Sequence, residues 1–289
     1  MLKRRLIAVI PVYNGIVVQS IGFNRYLPIG KPAIAVEFLN KWGVDEIVYV
    51  DITARKSNSS INFSEITALS DNCYIPLTVG GGINCIDDIE KLMQSGADKI
   101  ALNHALLNNP NLITEVAKSY GDQCVVASID AILTDRGYFA FDYLAGKPSE
   151  VLLSEAIKIA VDKGAGELFI NTVHRDGLYS GYDVALFQTI QDIVNIPVLA
   201  CGGARNSYHV LELLNNTRVS GACVGNFFNF HEHSVNKVKR FLVANGEDIR
   251  LETHADYLNS EMDFNDRLLK KSDTELEHLL YLKIEKEII

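Results

Sequence analysis

No apolar stretch in the 289 residues approaches the run of about 20 that a bilayer-spanning helix needs. Positive charge is also short. The 27 Lys and Arg stand against 36 Asp and Glu, a net charge of −9, so a general nucleic-acid or membrane-surface binder is excluded and only a local basic pocket stays open. Cysteine is scarce and odd in number: Cys73, Cys85, Cys124, Cys201 and Cys223 form no C-x-x-C pair. A disulfide framework and a zinc site are therefore not expected; buried, reduced thiols of a cytoplasmic protein are. The basic start Lys3-Arg4-Arg5 superficially resembles a secretion signal, yet its apolar run Leu6–Val12 is too short and ends at Asn14-Gly15 without a small-residue cleavage site. It reads as a buried strand. No G-x-G-x-x-G follows that strand, which counts against a doubly wound dinucleotide fold. Nothing implies a metal or an organic cofactor.

What the chain does have is alternation. Hydrophobic residues make up 48%, and short β-branched runs take turns with longer amphipathic segments. Eight runs read as strands: Arg5–Pro11, Glu46–Asp51, Ile75–Val79, Lys99–Leu102, Cys124–Ser128, Glu167–Thr172, Pro197–Ala200 and Gly221–Gly225. Their nearly continuous apolar character suits a parallel sheet covered by helices. The helical stretches include Asp87–Gln94, Asn111–Lys118, Leu152–Asp162 and Tyr208–Leu214. An eightfold strand–helix alternation predicts an α/β protein with the (β/α)8 TIM barrel architecture over residues 1–252.

The barrel contains a repeat. Ile75-Pro76-Leu77-Thr78-Val79-Gly80-Gly81-Gly82 returns 121 residues later as Ile196-Pro197-Val198-Leu199-Ala200-Cys201-Gly202-Gly203. The following strand ends at an asparagine in each half, Asn103 and Asn226. One half-barrel is thus a copy of the other, with equivalent sites on opposite sides of the mouth. Glycines directly after a strand permit close approach of a ligand to backbone N–H groups, and in barrels the last loops often hold phosphate. The two clusters predict a substrate with a phosphate at each end. Tight turns are the plainer account of either cluster alone.

Carboxylates at strand ends are candidate acids and bases, because this fold gathers its active sites at the C-terminal ends of the strands. Asp51, Asp130 and Asp176 qualify; for each, a helix or loop cap is the ordinary alternative. Asp130 directly follows a hydrophobic strand, which favours burial and a raised pKa. Residues 253–289 differ in character, with nine acids against five Lys or Arg. Leu276, Leu279, Leu280 and Ile284 give Asp273–Ile289 one apolar helical face. This acidic extension is expected to be a helix docked outside the barrel, or else a partner-binding helix.

Several segments resemble the cyclase subunit of imidazole glycerol phosphate synthase, from residue 1 to about 252. They are VDITA (50–54), TVGGGI (78–83), GADKIALN (96–103), SIDA (128–131), RDGLYSGYD (175–183) and CGGA (201–204). The resemblance implies a bisphosphate substrate and ammonia delivered by a glutaminase partner docked on the N-terminal face of the barrel. Gly82, Asn103, Asp176, Gly177, Gly203 and Asn226 match the family's phosphate positions, although the family usually has serine at the last. Arg5, Glu46, Lys99 and Glu167 each begin a strand and match the family's ammonia gate. On physical grounds alone such a ring closes and stabilises the barrel floor.

Four positions depart from the family. Its reaction uses two aspartates, one ending the first strand and one ending the fifth; Asp130 fills the second, but Pro11 stands at the first. Proline has no titratable group, and loss of a positioned acid–base group costs about 10²–10⁴ in rate. Gln19 stands where the family's first loop offers lysine, His104 replaces a small hydroxyl residue, and His174 replaces an acid. Either histidine alone is expected to be an incidental exposed side chain. All four changes fall at the catalytic mouth, while the gate is kept. The resemblance is therefore closest to paralogues that supply ammonia to a separate amidotransferase of bacterial surface sugars. A working histidine-pathway cyclase and a phosphosugar isomerase of the sister half-barrel family are the alternatives.

Overall fold

The computed structural model describes residues 3–53, 61–229, 231, 233–251, 260–269, 272 and 274. Among these residues twelve strands run in chain order: β1 (Arg5–Tyr13), β2 (Ile16–Ile21), β3 (Arg25–Gly30), β4 (Glu46–Asp51), β5 (Leu77–Gly80), β6 (Lys99–Leu102), β7 (Val125–Thr134), β8 (Gly137–Asp142), β9 (Lys147–Leu152), β10 (Glu167–Thr172), β11 (Val198–Cys201) and β12 (Gly221–Val224). The α-helices are α1 (Pro32–Lys41), α2 (Phe63–Ser70), α3 (Ile86–Gln94), α4 (His104–Asn108), α5 (Asn111–Tyr120), α6 (Leu153–Asp162), α7 (Val184–Ile190), α8 (Ser207–Asn216) and α9 (Ser234–Ala244).

Eight strands are parallel and close on themselves. The order is β10, β11, β12, β1, β4, β5, β6, β7, and β7 pairs back onto β10. This is the expected (β/α)8 barrel. The period of two along each strand then decides what lies inside. In β1 the inward series runs Arg5, Ile7, Val9, Pro11; in β6 it runs Lys99, Ala101 and continues to Asn103 just past the strand; in β10 it runs Glu167, Phe169, Asn171. The middle layer is apolar, a cluster of Ile7, Val48, Ala101, Val126, Phe169, Leu199, Cys201 and Cys223. A separate and larger core lies between the barrel and its helices, with Leu6, Ile47, Ile89, Ile113, Leu168 and Leu213 among its fully buried members. Each such side chain contributes about 1.5–3 kcal/mol on leaving water.

β4, β6 and β10 have the expected bounds, the other five barrel strands differ from expectation by one to several residues, and four strands were not foreseen. β2 and β3 form an antiparallel hairpin after β1, and β8 and β9 form another after β7. These hairpins obey the repeat, since Gly137–Asp142 lies 121 residues after Ile16–Ile21. Asn14 (φ 51°) and Gly15 (φ 72°) end β1 not by stopping it but by reversing it. Two consecutive positive φ values are what a two-residue hairpin turn requires, and Asn-Gly is its strongest signal.

The thiols also depart in part from expectation. Cys201 and Cys223 are buried, but Cys85 is exposed and Cys73 and Cys124 are half-buried. Cys85 precedes α3 in extended conformation at its N-cap, which turns it outward. The helix expected over Asp273–Ile289 lies outside the described residues but for Thr274. Residues 260–269 are described, and they form a tight loop on the outside of the barrel, in which Met262 bridges Leu268. Among the described residues no helix is long and apolar enough to cross a membrane.

Candidate functional site

The inward stripes end at two polar faces. At the strand starts, Arg5, Glu46, Lys99 and Glu167 form a closed square in which each cation touches both anions. Arg5 donates to Glu46 at 2.6 Å and also to Glu167. Lys99 Nζ lies 3.0 Å from Glu46 Oε2 and 2.9 Å from Glu167 Oε2. Thr78 Oγ1 donates a further bond to Glu46 at 2.8 Å. Glu46 is 1% exposed, so its charge is held by this network rather than by water.

At the strand ends lies the mouth, a cavity of about 160 Å³. Pro11, Asp51, Gly82, Asn103, Asp130, Asp176, Gly177, Gly203 and Asn226 all line it. Alternation explains the convergence, since each follows or ends an inward stripe. Two of the glycines beside them are required by contact. A Cβ on Gly81 would stand 2.1 Å from the Asp51 carbonyl oxygen, and one on Gly202 would stand 2.3 Å from Thr172 Oγ1. Thr172 is itself 121 residues after Asp51, so the repeat extends to the packing.

The three carboxylates have different surroundings. Asp130 extends from β7 beside Asn171 of β10. Burial pushes its pKa up to about 7, opposed by the Asn103 amide that donates to Oδ2 at 3.0 Å. It is the carboxylate best suited to proton transfer near neutral pH. Burial raises Asp176 as well, but Ser20 Oγ donates to its Oδ2 at 2.6 Å and its carbonyl accepts from Gly22 N. Asp176 is thus the anchor of the β2–β3 hairpin over the mouth. Asp51 Oδ1 accepts from Thr53 N, a local turn contact. Pro11 pairs with Val50, three residues beyond Ala8↔Val224, where β12 leaves β1. From there β1 has a barrel neighbour on one side only, so a strand proline is tolerated.

Residues 5–236 match the family described as histidine biosynthesis protein. The chain belongs to this family. Within the histidine biosynthesis family it is HisF-like. It is 37% identical over 268 residues to a putative imidazole glycerol phosphate synthase subunit hisF2 of Vibrio vulnificus, covering 91% of this chain and 97% of that one. It is 35% identical over 253 residues to imidazole glycerol phosphate synthase subunit HisF of Streptococcus gordonii, covering 87% of this chain and all of the relative. The subunit HisF of an Exiguobacterium strain is 36% identical over 239 residues, 83% of this chain and 93% of its own.

Against this HisF-like frame, neither substituted histidine is an exposed bystander. His174 is half-buried: Asp183 Oδ2 lies 3.1 Å from its Nε2 and also accepts from Tyr138 at 2.8 Å. Asp183 is buried and also caps α7, accepting from Leu186 N. His104 is half-buried on the cavity wall, with its Nδ1 3.2 Å from Asn108 Nδ2. Gln19 sits in the β2–β3 hairpin and donates to Tyr179 at 3.0 Å, so the loop offers no ammonium group there. Sequence reasoning missed Ser20, Tyr143 and Phe23 in the cavity wall. For Ser20 and Phe23 the Asn14-Gly15 turn was the available signal, because it folds residues 16–30 back over the strand ends. Among the described residues no group of three or more His, Cys, Asp or Glu side chains is arranged to hold a metal ion.

Proposed function

We propose that this chain takes ammonia from a glutaminase subunit docked on the Arg5/Glu46/Lys99/Glu167 face and passes it through the barrel. At the mouth the ammonia is used for amidation of a bacterial surface sugar by a separate sugar amidotransferase. The observation that carries this reading is Pro11 at the mouth with Asp130 while the gate ring is complete. The interior between the two faces is lined by Ile7, Val48, Ala101 and Cys223, apolar or small residues that suit a neutral molecule. A barrel with no use for ammonia would have replaced four charges by apolar packing at little cost. Gly82, Asn103, Gly203 and Asn226 retain the capacity to hold a phosphorylated small molecule, with Asp176 and Gly177 beside the second site. The barrel of residues 1–252 carries this role in the cytoplasm with no cofactor, and residues 253–289 are an accessory extension.

A second reading, that of a histidine-pathway cyclase, is favoured by Asp130, whose pKa near 7 suits acid–base work. It lacks the partner acid. The test is turnover of the synthase's bisphosphate substrate with excess ammonium, for the wild type and for Pro11→Asp. The conduit reading expects no turnover by the folded wild type and measurable turnover by the variant. Wild-type turnover at an ordinary enzymatic rate would overturn it in favour of the cyclase.

A further inference from the structure

The two glycine clusters are followed by helices that begin 121 residues apart, α3 at Ile86 and α8 at Ser207. In the first half the turn is held by its own helix: Asp88 Oδ2 accepts from Asn84 N at 2.9 Å and Cys85 N at 3.3 Å. Asn84 Nδ2 also donates to the Gly82 carbonyl at 2.6 Å. The second half has lost both devices. The equivalent of Asp88 is His209, and the equivalent of Asn84 is Arg205.

The missing carboxylate arrives from outside the barrel. Asp266, buried at the tip of the 260–269 loop with φ 57°, accepts from Ser207 N at 2.8 Å. Its neighbours hold the same turn: the Phe264 carbonyl accepts from Asn206 Nδ2 at 2.9 Å, and Asn265 Oδ1 from Arg205 at 3.1 Å. The Phe264 ring stacks on Tyr208 at 5.6 Å. Lys237 of α9 donates to the Asp266 carbonyl at 3.3 Å. The loop is built for the purpose. Asp263 Oδ1 accepts from Asn265 N and Arg267 N, which turns residue 266 inward. Asp266 is 1% exposed and Ser207 fully buried, so the carboxylate is committed to this turn out of reach of water. The family match ends at residue 236, so this loop lies beyond it.

The structure assigns Asp266 and the 260–269 loop as the positioning element of the second anion site. Beside the helix's own cap, Asn206 accepting from His209 N, it adds in trans a carboxylate at Ser207 N, one residue past the N–H groups equivalent to those Asp88 holds in cis, and so fixes the turn that follows Gly203. The inference rests on the reading of Gly82 and Gly203 as phosphate-binding positions. Because the loop touches only one of the two sites, the other is an internal control.

The experiment titrates inorganic phosphate into the full chain and follows the backbone amides of Gly82 and Gly203 by NMR. Both should respond in the wild type. In Asp266→Ala the affinity reported by Gly203 should fall about tenfold, with Gly82 unchanged. Asp266→Ala combined with His209→Asp should recover it, because the acid is returned to the helix itself. Should Asp266→Ala fail to fold, Asn265→Ala, altered at an exposed side chain, should weaken Gly203 alone by a smaller factor. An unchanged Gly203 affinity in the variants, or an equal loss at both glycines, would overturn the assignment while leaving the phosphate reading intact. A wild type in which neither amide responds would remove that reading, and the assignment with it.

Discussion

Asn103 Nδ2 donates to Asp130 Oδ2 at 3.0 Å across the ends of the adjacent strands β6 and β7. The contact joins a residue expected at a phosphate position to the one acid of the expected catalytic pair that is present. An amide donor favours the ionised carboxylate, yet burial outweighs it and leaves Asp130 near 7.

Stability should therefore depend on pH through this group. Unfolded, Asp130 loses its proton near pH 4; folded, it keeps it until about 7. The folded state binds more protons in that window, so its stability falls as pH rises from 4 to 7 and stays reduced above. Asp130→Asn removes the penalty. Urea unfolding should find the variant more stable than the wild type at pH 8 by about 2 kcal/mol, and the advantage should vanish near pH 4.

Removing one cation from the floor should be costly. Arg5→Ala leaves Glu46 and Glu167 both buried, with Lys99 their sole remaining partner within the ring. A loss of about 3 kcal/mol is expected in chemical denaturation. Raising salt from 0.1 to 1 M should change wild-type stability little by comparison, because a buried ring is poorly screened.

Gly177 holds the hairpin to the mouth by having no side chain. A Cβ there would stand 2.3 Å from the Ser20 carbonyl oxygen, at a φ of 68° that already suits glycine. Gly177→Ala should cost about 2 kcal/mol and lift β2–β3. Trypsin should then cut after Arg25 faster than in the wild type, with the rest of the digest unchanged.

Asp183 serves three donors, Leu186 N, Tyr138 and His174. Asp183→Ala should destabilise by about 2 kcal/mol through lost capping and two orphaned polar groups. Asp183→Asn, which keeps an acceptor for the cap, should recover most of that in thermal unfolding.

The barrel was legible because buried parallel strands write their period plainly. Glu46–Asp51, Lys99–Leu102 and Glu167–Thr172 fall where their apolar runs fall. The third strand is Leu77–Gly80 rather than the expected Ile75–Val79: Ile75 and Pro76 are apolar but precede the ladder, which Pro76 joins only through its carbonyl, accepting from Ile47 N. The cavity residues were legible as strand ends, whereas the hairpins over them were not. Their strands are short and partly polar, and Asn14-Gly15 terminates a run and reverses one with the same two letters. The hold on Ser207 was beyond sequence reading, because its acid is 59 residues away in the chain.

The two hairpins meet above the mouth, where Phe23 stands edge-on to Phe141 at 6.1 Å. Each hairpin belongs to a different copy of the repeat, so the two halves of the barrel each supply one leaf of the cavity's cover. Neither leaf would have anything to close against in a single half. A half-barrel taken alone would leave its strand ends open to water, and the sheltered interior exists only where the two halves face each other.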